Sequence, residues 1–391
     1  MGQLTCLQTL SFFAVDQDEG RQIKELGCLN QLRGELDIYN LEYVRDKEEA
    51  RSANLATKAK IYKLGFYWSM GRENDSDNDN DEEVLEGLQP HQNLKSLTIE
   101  WYQGKKFPSW MLNGLSLFDN LIEITLSYCT QCEQVPTLGH LPCLRVLKIA
   151  GFDNVKCIGN EFYSDGNYRN ALFPALKRLR LDLMESLEEW KDAEELTTGE
   201  GEVFPCLEEL TINSCPNLNS IPDLSGLHSL TQLVFLGCPK LTLLLEWFLV
   251  CFSQLKTLRI FGSSSPLWFG CKCLNVSLSS LQLNMLPNLN SLPDKIQRFT
   301  ALKELHIEGF DVMEALPEWL GNFSSLQSLS LSKCKNLMDL STVEAMRSLT
   351  KLDIVSCPKL KERYAKGSGA ESSKIAHIQD ITIDGEKSED G

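Results

Sequence analysis

Leu302-Lys303-Glu304-Leu305-His306-Ile307 and Leu326-Gln327-Ser328-Leu329-Ser330-Leu331 are two copies of one short phrase, L-x-x-L-x-L, that recurs along most of the chain. The clean copies begin at Leu94, Leu121, Leu144, Leu176, Leu207, Leu230, Leu255, Leu278, Leu302, Leu326 and Leu349. From Leu207 onward they follow one another at 23 to 25 residues. Weaker copies near Leu7, Leu36, Ile61 and Ile378 bring the count to about 14 or 15.

This phrase at this period is typical of leucine-rich repeats, in which each unit adds one short parallel strand to a solenoid. Alternate strand residues point into the core, and the residues between them face solvent. We therefore predict an α/β fold: a horseshoe-shaped leucine-rich repeat solenoid with a parallel inner β-sheet and an irregular or short-helical convex side. Residues 1–391 are expected to form a single array.

Five cysteines each fall three residues after the last apolar position of their strand. A residue at this position of a repeat commonly lies inside the solenoid and hydrogen-bonds to backbone of adjacent turns. These cysteines are therefore predicted to be structural. They are Cys129, Cys215, Cys238, Cys334 and Cys357, and the last four are predicted to be buried and reduced.

Acidic residues outnumber basic ones, 54 to 38, which gives a formal charge of −16. This charge disfavours binding to nucleic acid or to anionic lipid surfaces. No apolar run approaches the roughly 18 to 20 residues that cross a bilayer, so we expect no membrane span. The first residues contain no recognisable secretory signal, and we expect a cytoplasmic protein.

Several stretches interrupt the repeat pattern. Residues 72–83 contain no apolar residue and are expected to form an acidic, exposed loop. Two insertions, near Gly159 to Ala171 and Ala193 to Glu202, are expected to protrude. Residues 361–373 and 385–391 are expected to be poorly ordered.

The acidic loop partly matches a calcium-binding EF-hand loop. The matching positions are Asp75, Asp77, Asp79, Asp81 and Glu86. However, Asn80 stands where that loop has its glycine, and the preceding residues alternate like a strand. We therefore favour a solvated charge run over a calcium site.

Motifs of catalysis and cofactor binding are missing from the sequence. It contains no H-E-x-x-H, G-x-S-x-G, G-x-G-x-x-G or G-x-x-x-x-G-K-[ST]. Cys129-x-x-Cys132 and Cys271-x-Cys273 have spacings seen in metal sites, but neither has a second Cys or His pair at a suitable distance. We predict a protein that is not an enzyme and that binds no metal and no cofactor.

The outward positions of the strands provide candidate contacts for a protein partner. Basic residues cluster on the two strands that follow Leu144 and Leu176. Exposed aromatic and imidazole groups are also candidates, because such groups are typical anchors of protein interfaces. Core packing is the alternative for each aromatic residue. The basic candidates are Arg145, Lys148, Lys177, Arg178 and Arg180, and the others are Trp101, Tyr102, Phe261 and His306.

Several longer phrases resemble the leucine-rich region of plant coiled-coil-type nucleotide-binding disease-resistance proteins. They are Leu85-Glu86-Gly87-Leu88-Gln89-Pro90-His91, Phe107-Pro108-Ser109-Trp110-Met111, Leu138-Gly139-His140-Leu141-Pro142, Ile158-Gly159-Asn160-Glu161-Phe162-Tyr163, Leu187-Glu188-Glu189-Trp190 and Lys374-Ile375-Ala376-His377-Ile378. The resemblance implies a cytoplasmic immune receptor region that recognises a pathogen effector or a host guardee and restrains a nucleotide-binding switch.

The coiled-coil and nucleotide-binding modules of that family are missing from this sequence, and Met1-Gly2-Gln3-Leu4-Thr5 resembles an internal stretch of the family. We therefore expect neither ATP binding nor autonomous signalling from this chain. Two other classes of function are compatible with such repeats. They are a ubiquitin-ligase substrate receptor, which should carry an F-box segment ahead of the repeats, and a stoichiometric enzyme inhibitor.

Overall fold

The structure is a computed structural model. It describes residues 1–72, 80–112, 118–164, 171–193, 202–224, 226–241, 252–262, 277–285, 290–342, 346–364 and 371–387. The chain divides into two compact units. Unit 1 comprises Met1–Leu207 with Ser214–Pro216, and unit 2 comprises Glu208–Asn213 with Asn217–Gly391.

Unit 1 is built on a parallel ladder of short strands. Its strands are β1 (Phe12–Ala14), β2 (Gly34–Tyr39), β3 (Ile61–Tyr67), β4 (Ser96–Glu100), β5 (Glu123–Ser127), β6 (Val146–Ala150), β7 (Cys157–Ile158), β8 (Arg178–Asp182) and β9 (Glu189–Trp190). The ladder order is β1-β2-β3-β4-β5-β6-β8, while β7 and β9 pair with each other in a small parallel sheet. Strand order thus follows chain order, as stacked repeats require.

Unit 2 repeats the same construction. Its strands are β10 (Glu209–Asn213), β11 (Gln232–Leu236), β12 (Thr257–Phe261), β13 (Ser280–Asn284), β14 (Glu304–Glu308), β15 (Ser328–Ser332), β16 (Lys351–Val355), β17 (Asp380–Ile383) and β18 (Glu386–Lys387). Strands β10 to β17 pair in parallel, and β18 folds back antiparallel on β17.

The segments between strands are irregular or form short helices. The α-helices are α1 (Lys47–Arg51), α2 (Asp81–Gly87), α3 (Ser109–Leu112) and α4 (Pro358–Tyr364). The 3-10 helices are Ile23–Cys28, Leu41–Tyr43, Leu55–Thr57, Asn160–Phe162, Asp294–Arg298, Glu318–Asn322 and Ser372–Ile375. The predicted α/β leucine-rich repeat fold is confirmed.

The apolar positions of the phrase form the core. Leu97 and Ile99 of β4 lie beside Ile124 and Leu126 of β5, and all four are fully buried. Each such side chain contributes about 1.5–3 kcal/mol when it is buried. Stacking of neighbouring repeats therefore supplies the stability that one repeat lacks.

Most strands are followed directly by a residue in the left-handed region of φ. These residues are Asn40, Trp101, Tyr128, Gly151, Leu183, Ser214, Gly237, Gly262, Met285, Gly309, Lys333, Ser356 and Asp384. Within unit 1, Trp101 N donates to Ser127 O (3.0 Å) and Tyr128 N donates to Ala150 O (2.7 Å), so the turn extends the ladder by one bond. Only glycine adopts this conformation without steric cost.

The left-handed turn directs the next residue into the core, which explains the five repeat cysteines. Cys129, Cys215, Cys238, Cys334 and Cys357 all follow such a turn, and all are buried. The thiol of Cys334 donates to Ser332 O (3.3 Å), and that of Cys357 donates to Val355 O (3.4 Å). Each thiol thus binds a carbonyl at the end of its own strand.

Two expectations about disorder need correction. In the segment 361–373, helix α4 extends to Tyr364 because Leu360 and Tyr364 share a buried face, and Ser372 begins a 3-10 helix. In the segment 385–391, Gly385 lies in the turn before β18. Residues 365–370 and 388–391 lie outside the described residues.

Part of the predicted acidic loop 72–83 is helical, because Asp81 to Glu83 form the first turn of α2. Asp81 is buried rather than exposed, and its carboxylate accepts two bonds from the Arg72 guanidinium (2.5 and 3.1 Å). Asp75, Asp77 and Asp79 lie outside the described residues.

Candidate protein-binding surface

The five predicted basic residues lie together in unit 1. We call Arg145, Lys148, Lys177, Arg178 and Arg180 the basic stripe. Lys148 of β6 is the register partner of Arg180 of β8, and Val146 is that of Arg178. Arg145 O accepts the N–H groups of Lys177 (2.9 Å) and Arg178 (3.0 Å), which fixes the three residues side by side. Four of the five are exposed, and Lys148 is half-buried.

The members of the stripe differ in how much of their charge is balanced within the chain. The guanidinium of Arg180 pairs with Asp182, a side chain that is only 4% exposed. No ion pair joins Arg145 or Arg178 to an acidic residue in the described part of the chain. Arg145 and Arg178 therefore hold the charge that is most available to a partner.

Trp101 directly follows β4 at the carboxyl end of this strand, in the same ladder. It adopts the left-handed turn after β4 (φ 61°), and its half-buried ring stacks on Tyr128 at 4.3 Å between ring centroids. Tyr128 occupies the equivalent turn after β5 (φ 57°). The stacked pair is a firm, partly exposed aromatic surface of the kind that anchors interfaces.

Tyr102 was predicted to lie on the exposed face, and this prediction is wrong. Its side chain is fully buried, with ring centroids 5.3 Å from Trp68 and 5.7 Å from Phe107, and its hydroxyl donates to Lys106 O (2.5 Å). Burial raises its pKa. The cause is the left-handed turn at Trp101, which places Tyr102 in the core position that Cys129 fills in the next repeat.

Phe261 and His306 belong to unit 2. Phe261 ends β12 and is half-buried between the register partners Leu236 and Asn284. His306 lies at the centre of β14, between Gln282 and Ser330. It borders a shallow groove of about 310 Å³, whose other lining residues include Ser280, Gln282, Glu304, Ser328 and Ser330.

Glu308 is the charged centre beside this groove. Its carboxylate accepts from Lys333 Nζ (2.7 Å) and from Asn284 Nδ2 (3.0 Å), and His306 Nε2 lies 3.7 Å away. The hydrogen bond from Lys333 is the largest cause that lowers the pKa of Glu308. The carboxylate is thus already held by partners within unit 2.

Sequence reasoning missed an aromatic row on strands β1 to β3. Phe12 and Tyr39 meet edge to face at 6.5 Å, and Tyr39 stacks on Tyr67 at 4.5 Å. Phe12 is 63% exposed and Tyr39 is 37% exposed. The signal was available for Tyr39 and Tyr67, which directly follow the last apolar position of their weak repeats. Phe12 instead occupies the last apolar position of the phrase that begins at Leu7, and the buried residue of that strand is its neighbour Phe13.

The structure offers few groups for metal or redox chemistry. In the ranges that it describes, no three His, Cys, Asp or Glu residues are arranged to hold a metal ion. Cys132 is buried, burial raises its pKa, and its thiol donates to Gly104 O (3.2 Å). Cys271 and Cys273 lie outside the described residues. A search of those same ranges finds no helix with the length and apolar character needed to cross a membrane.

Sequence comparison identifies the family. A family model described as R13L1/DRL21 LRRs matches residues 23–152 and 294–357. Disease resistance RPP13-like protein 1 of Arabidopsis thaliana is 32% identical over 361 residues, which is 90% of this chain and 32% of the relative. The chain is a leucine-rich repeat region of the plant disease resistance proteins. The resemblance noted from the sequence is thereby confirmed.

Two relatives from Solanum bulbocastanum agree with this assignment. Disease resistance protein RGA1 is 33% identical over 78% of this chain and 28% of its own length. Disease resistance protein RGA2 is 36% identical over 59% of this chain and 23% of its own length. The chain thus spans about a quarter to a third of the length of the disease resistance proteins that it matches.

A solved structure supports the fold independently. The chain in the crystal structure of the TLR13-ssRNA13 complex aligns with a TM-score of 0.54 over 92% of this chain and 57% of that chain. At 15% sequence identity the likeness concerns the fold alone.

Proposed function

We propose that this chain is a non-catalytic protein-recognition module of a plant intracellular immune receptor. In this role it recognises a pathogen effector or a host guardee, and it restrains a nucleotide-binding module. The observation that carries the proposal is the basic stripe, which places several positive charges on adjacent strands of a protein whose net charge is −16. Complementary charge orients and accelerates the association of protein surfaces.

The stripe is proposed to dock on an acidic surface of the nucleotide-binding module. Exposed ion pairs contribute about 0.2–1 kcal/mol each, so a single substitution has little effect. Arg180 is excluded from the test because its removal would leave the buried Asp182 without its ion-pair partner. The informative variant is therefore Arg145→Glu/Lys148→Glu/Arg178→Glu.

The test measures binding of the triple variant to the purified nucleotide-binding module of a disease resistance protein of this family. We expect binding to weaken about 3- to 100-fold and to lose most of its salt dependence. The matched control is Lys24→Glu/Lys60→Glu/Lys105→Glu, three exposed lysines of unit 1 outside the stripe. If both variants weaken binding equally, net charge and not the stripe controls the interaction.

A further inference from the structure

The aromatic row of strands β1 to β3 continues into two acidic side chains. Asp37 of β2 is the register partner of Phe12, and Glu100 of β4 is that of Tyr67. We call Phe12, Tyr39, Tyr67, Asp37 and Glu100 the aromatic–acidic patch. It lies on the exposed face of the unit 1 ladder, at the opposite end from the basic stripe.

A glycine allows this arrangement. A Cβ atom at Gly65 would lie 2.4 Å from Tyr67 Cε2 and 2.3 Å from Asp37 Oδ1. Without that atom, the ring of Tyr67 lies over its own strand, and its hydroxyl approaches Asp37 Oδ1 at 3.5 Å. Tyr39 stacks on the Tyr67 ring, with 4.5 Å between the ring centroids and 15° between the two planes. The rings are thereby fixed in position before any partner binds.

Within the described residues, the positive charges of Lys63 and Lys148 act on Asp37 and Glu100 only from beyond ion-pair distance. No ion pair involves Asp37 or Glu100 there, whereas the neighbouring Glu35 pairs with Lys63 at 3.0 Å. Partial burial is the largest cause that raises the pKa of each carboxyl. A cation placed between them would therefore relieve an unfavourable local charge.

A partly exposed aromatic row flanked by carboxylates that form no ion pair has the chemistry that attracts a positively charged side chain. The faces of aromatic rings bind guanidinium and ammonium groups, and nearby carboxylates add charge attraction. We propose that the aromatic–acidic patch binds an arginine- or lysine-bearing segment of a protein partner. This surface and its ligand are distinct from those of the basic stripe, so the proposal stands or falls separately.

The test uses two fluorescein-labelled peptides, (Ser-Arg)₄ and (Ser-Gln)₄, in fluorescence anisotropy titrations of the full chain at physiological ionic strength. We expect (Ser-Arg)₄ to bind more tightly than (Ser-Gln)₄. Equal binding of both peptides would show that the patch takes an uncharged segment and would overturn the proposal.

Two variants test the patch itself. Asp37→Asn/Glu100→Gln is expected to weaken (Ser-Arg)₄ binding about 2- to 30-fold, because two charge pairs at a partly exposed surface are lost. Tyr39→Leu is expected to weaken it about 2- to 5-fold, the range of an exposed cation–π contact. Tyr39→Phe keeps the ring and should bind like the unaltered chain.

The matched control for charge is Asp119→Asn/Glu133→Gln, which removes two exposed acidic residues of unit 1 outside the patch. If this control weakens binding as much as Asp37→Asn/Glu100→Gln, peptide binding depends only on the net charge of the chain and the proposal is wrong. Loss of folding is not expected to confuse the result. A carboxyl whose pKa is raised by folding destabilises the fold at neutral pH, so its neutral replacement should melt at the same or a higher temperature.

Discussion

The ion pair between Arg72 and Asp81 provides the sharpest test of how unit 1 is held together. The Asp81 side chain is 3% exposed and that of Arg72 is 21% exposed. Besides the two bonds from Arg72, the carboxylate of Asp81 accepts the N–H of Gln103 at 3.0 Å. The pair therefore connects the start of α2 to the segment that precedes it and to the segment that follows β4.

Asp81→Asn removes the charge but preserves the side-chain volume. Breaking a buried ion pair by removing one partner costs about 3–5 kcal/mol, and partial exposure of Arg72 favours the lower end, about 3 kcal/mol. Unit 1 contains about 210 residues, the sum of residues 1–207 and 214–216. For a body of that size, 1 kcal/mol shifts the melting temperature by about 2–4 °C, so we expect a fall of about 6–12 °C.

The assay is thermal unfolding followed by far-ultraviolet circular dichroism. Glu83→Gln is the matched control, because it removes one negative charge from the same helical turn at an exposed position. It should cost only about 0.3–1 kcal/mol through the helix dipole. The double variant Asp81→Asn/Arg72→Met leaves no unpaired charge and should be more stable than Asp81→Asn alone. Equal melting temperatures for Asp81→Asn and Glu83→Gln would refute this reasoning.

Another carboxylate of α2 bears on the calcium hypothesis. In the EF-hand alignment Glu86 stands at position 12, the bidentate calcium ligand, but its carboxylate already accepts from the N–H and the hydroxyl of Ser109, both at 2.6 Å. We therefore expect that an excess of calcium leaves the melting temperature of the unaltered chain unchanged. A rise that disappears in Glu86→Gln would show that the carboxylate binds the metal instead.

Three further predictions concern turns, pH and thiols. Gly151→Ala should destabilise unit 1 by about 1–2 kcal/mol in the same melting assay, because alanine would have to adopt a left-handed backbone conformation and its Cβ would lie 2.9 Å from Tyr128 Cδ1. Gly226→Ala should be neutral, because there is open space around Gly226. Lys333 lowers the pKa of Glu308, so the ionised carboxylate should stabilise the fold above pH 4.5, and this stabilisation should vanish as the pH falls through the lowered value. Urea titrations should therefore show that Glu308→Gln is less stable than the unaltered chain above pH 4.5 and equally stable at low pH. A stability difference between the two proteins that persists at low pH would contradict this. In thiol labelling of the native chain followed by peptide mapping, the five repeat cysteines should react much more slowly than the exposed Cys143. Equal rates would show that the repeat cysteines are accessible. The repeat cysteines are Cys129, Cys215, Cys238, Cys334 and Cys357.

Much of the fold follows from local rules, because every repeat presents the same buried positions. Leu94 to Ile99 and Leu121 to Leu126 carry the same phrase and form adjacent strands in the same register. The repeat cysteines also follow from spacing. The failure at Tyr102 is instructive, because Tyr102 stands three residues after Ile99, the same offset as Cys129 after Leu126. Position in the repeat, and not residue type, decides which side chains are buried.

Insertions were harder to predict, because their packing depends on residues far apart in sequence. The insertion near Gly159 was expected to protrude, yet Phe162 and Tyr163 are buried against Phe173 and Phe204, with ring centroids 4.9 to 6.3 Å apart. A scan for repeats does not detect such a cluster. The aromatic–acidic patch was missed for a different reason, because its three aromatic residues come from repeats that match the phrase weakly.

The unit 1 ladder thus displays surfaces of opposite charge, and their separation decides whether they act independently. From Asp37 on β2 to Arg180 on β8 there are five strand spacings, about 24 Å at 4.7–4.9 Å each. The Debye length at physiological ionic strength is about 8 Å, so these two ends are screened from each other. Glu100 and Lys148 are only two strands apart, about 10 Å. Burial raises the pKa of Glu100, and the positive charge of Lys148 opposes that rise. Lys148→Glu should therefore affect ligands of both surfaces, whereas Arg178→Glu should affect only ligands of the basic stripe.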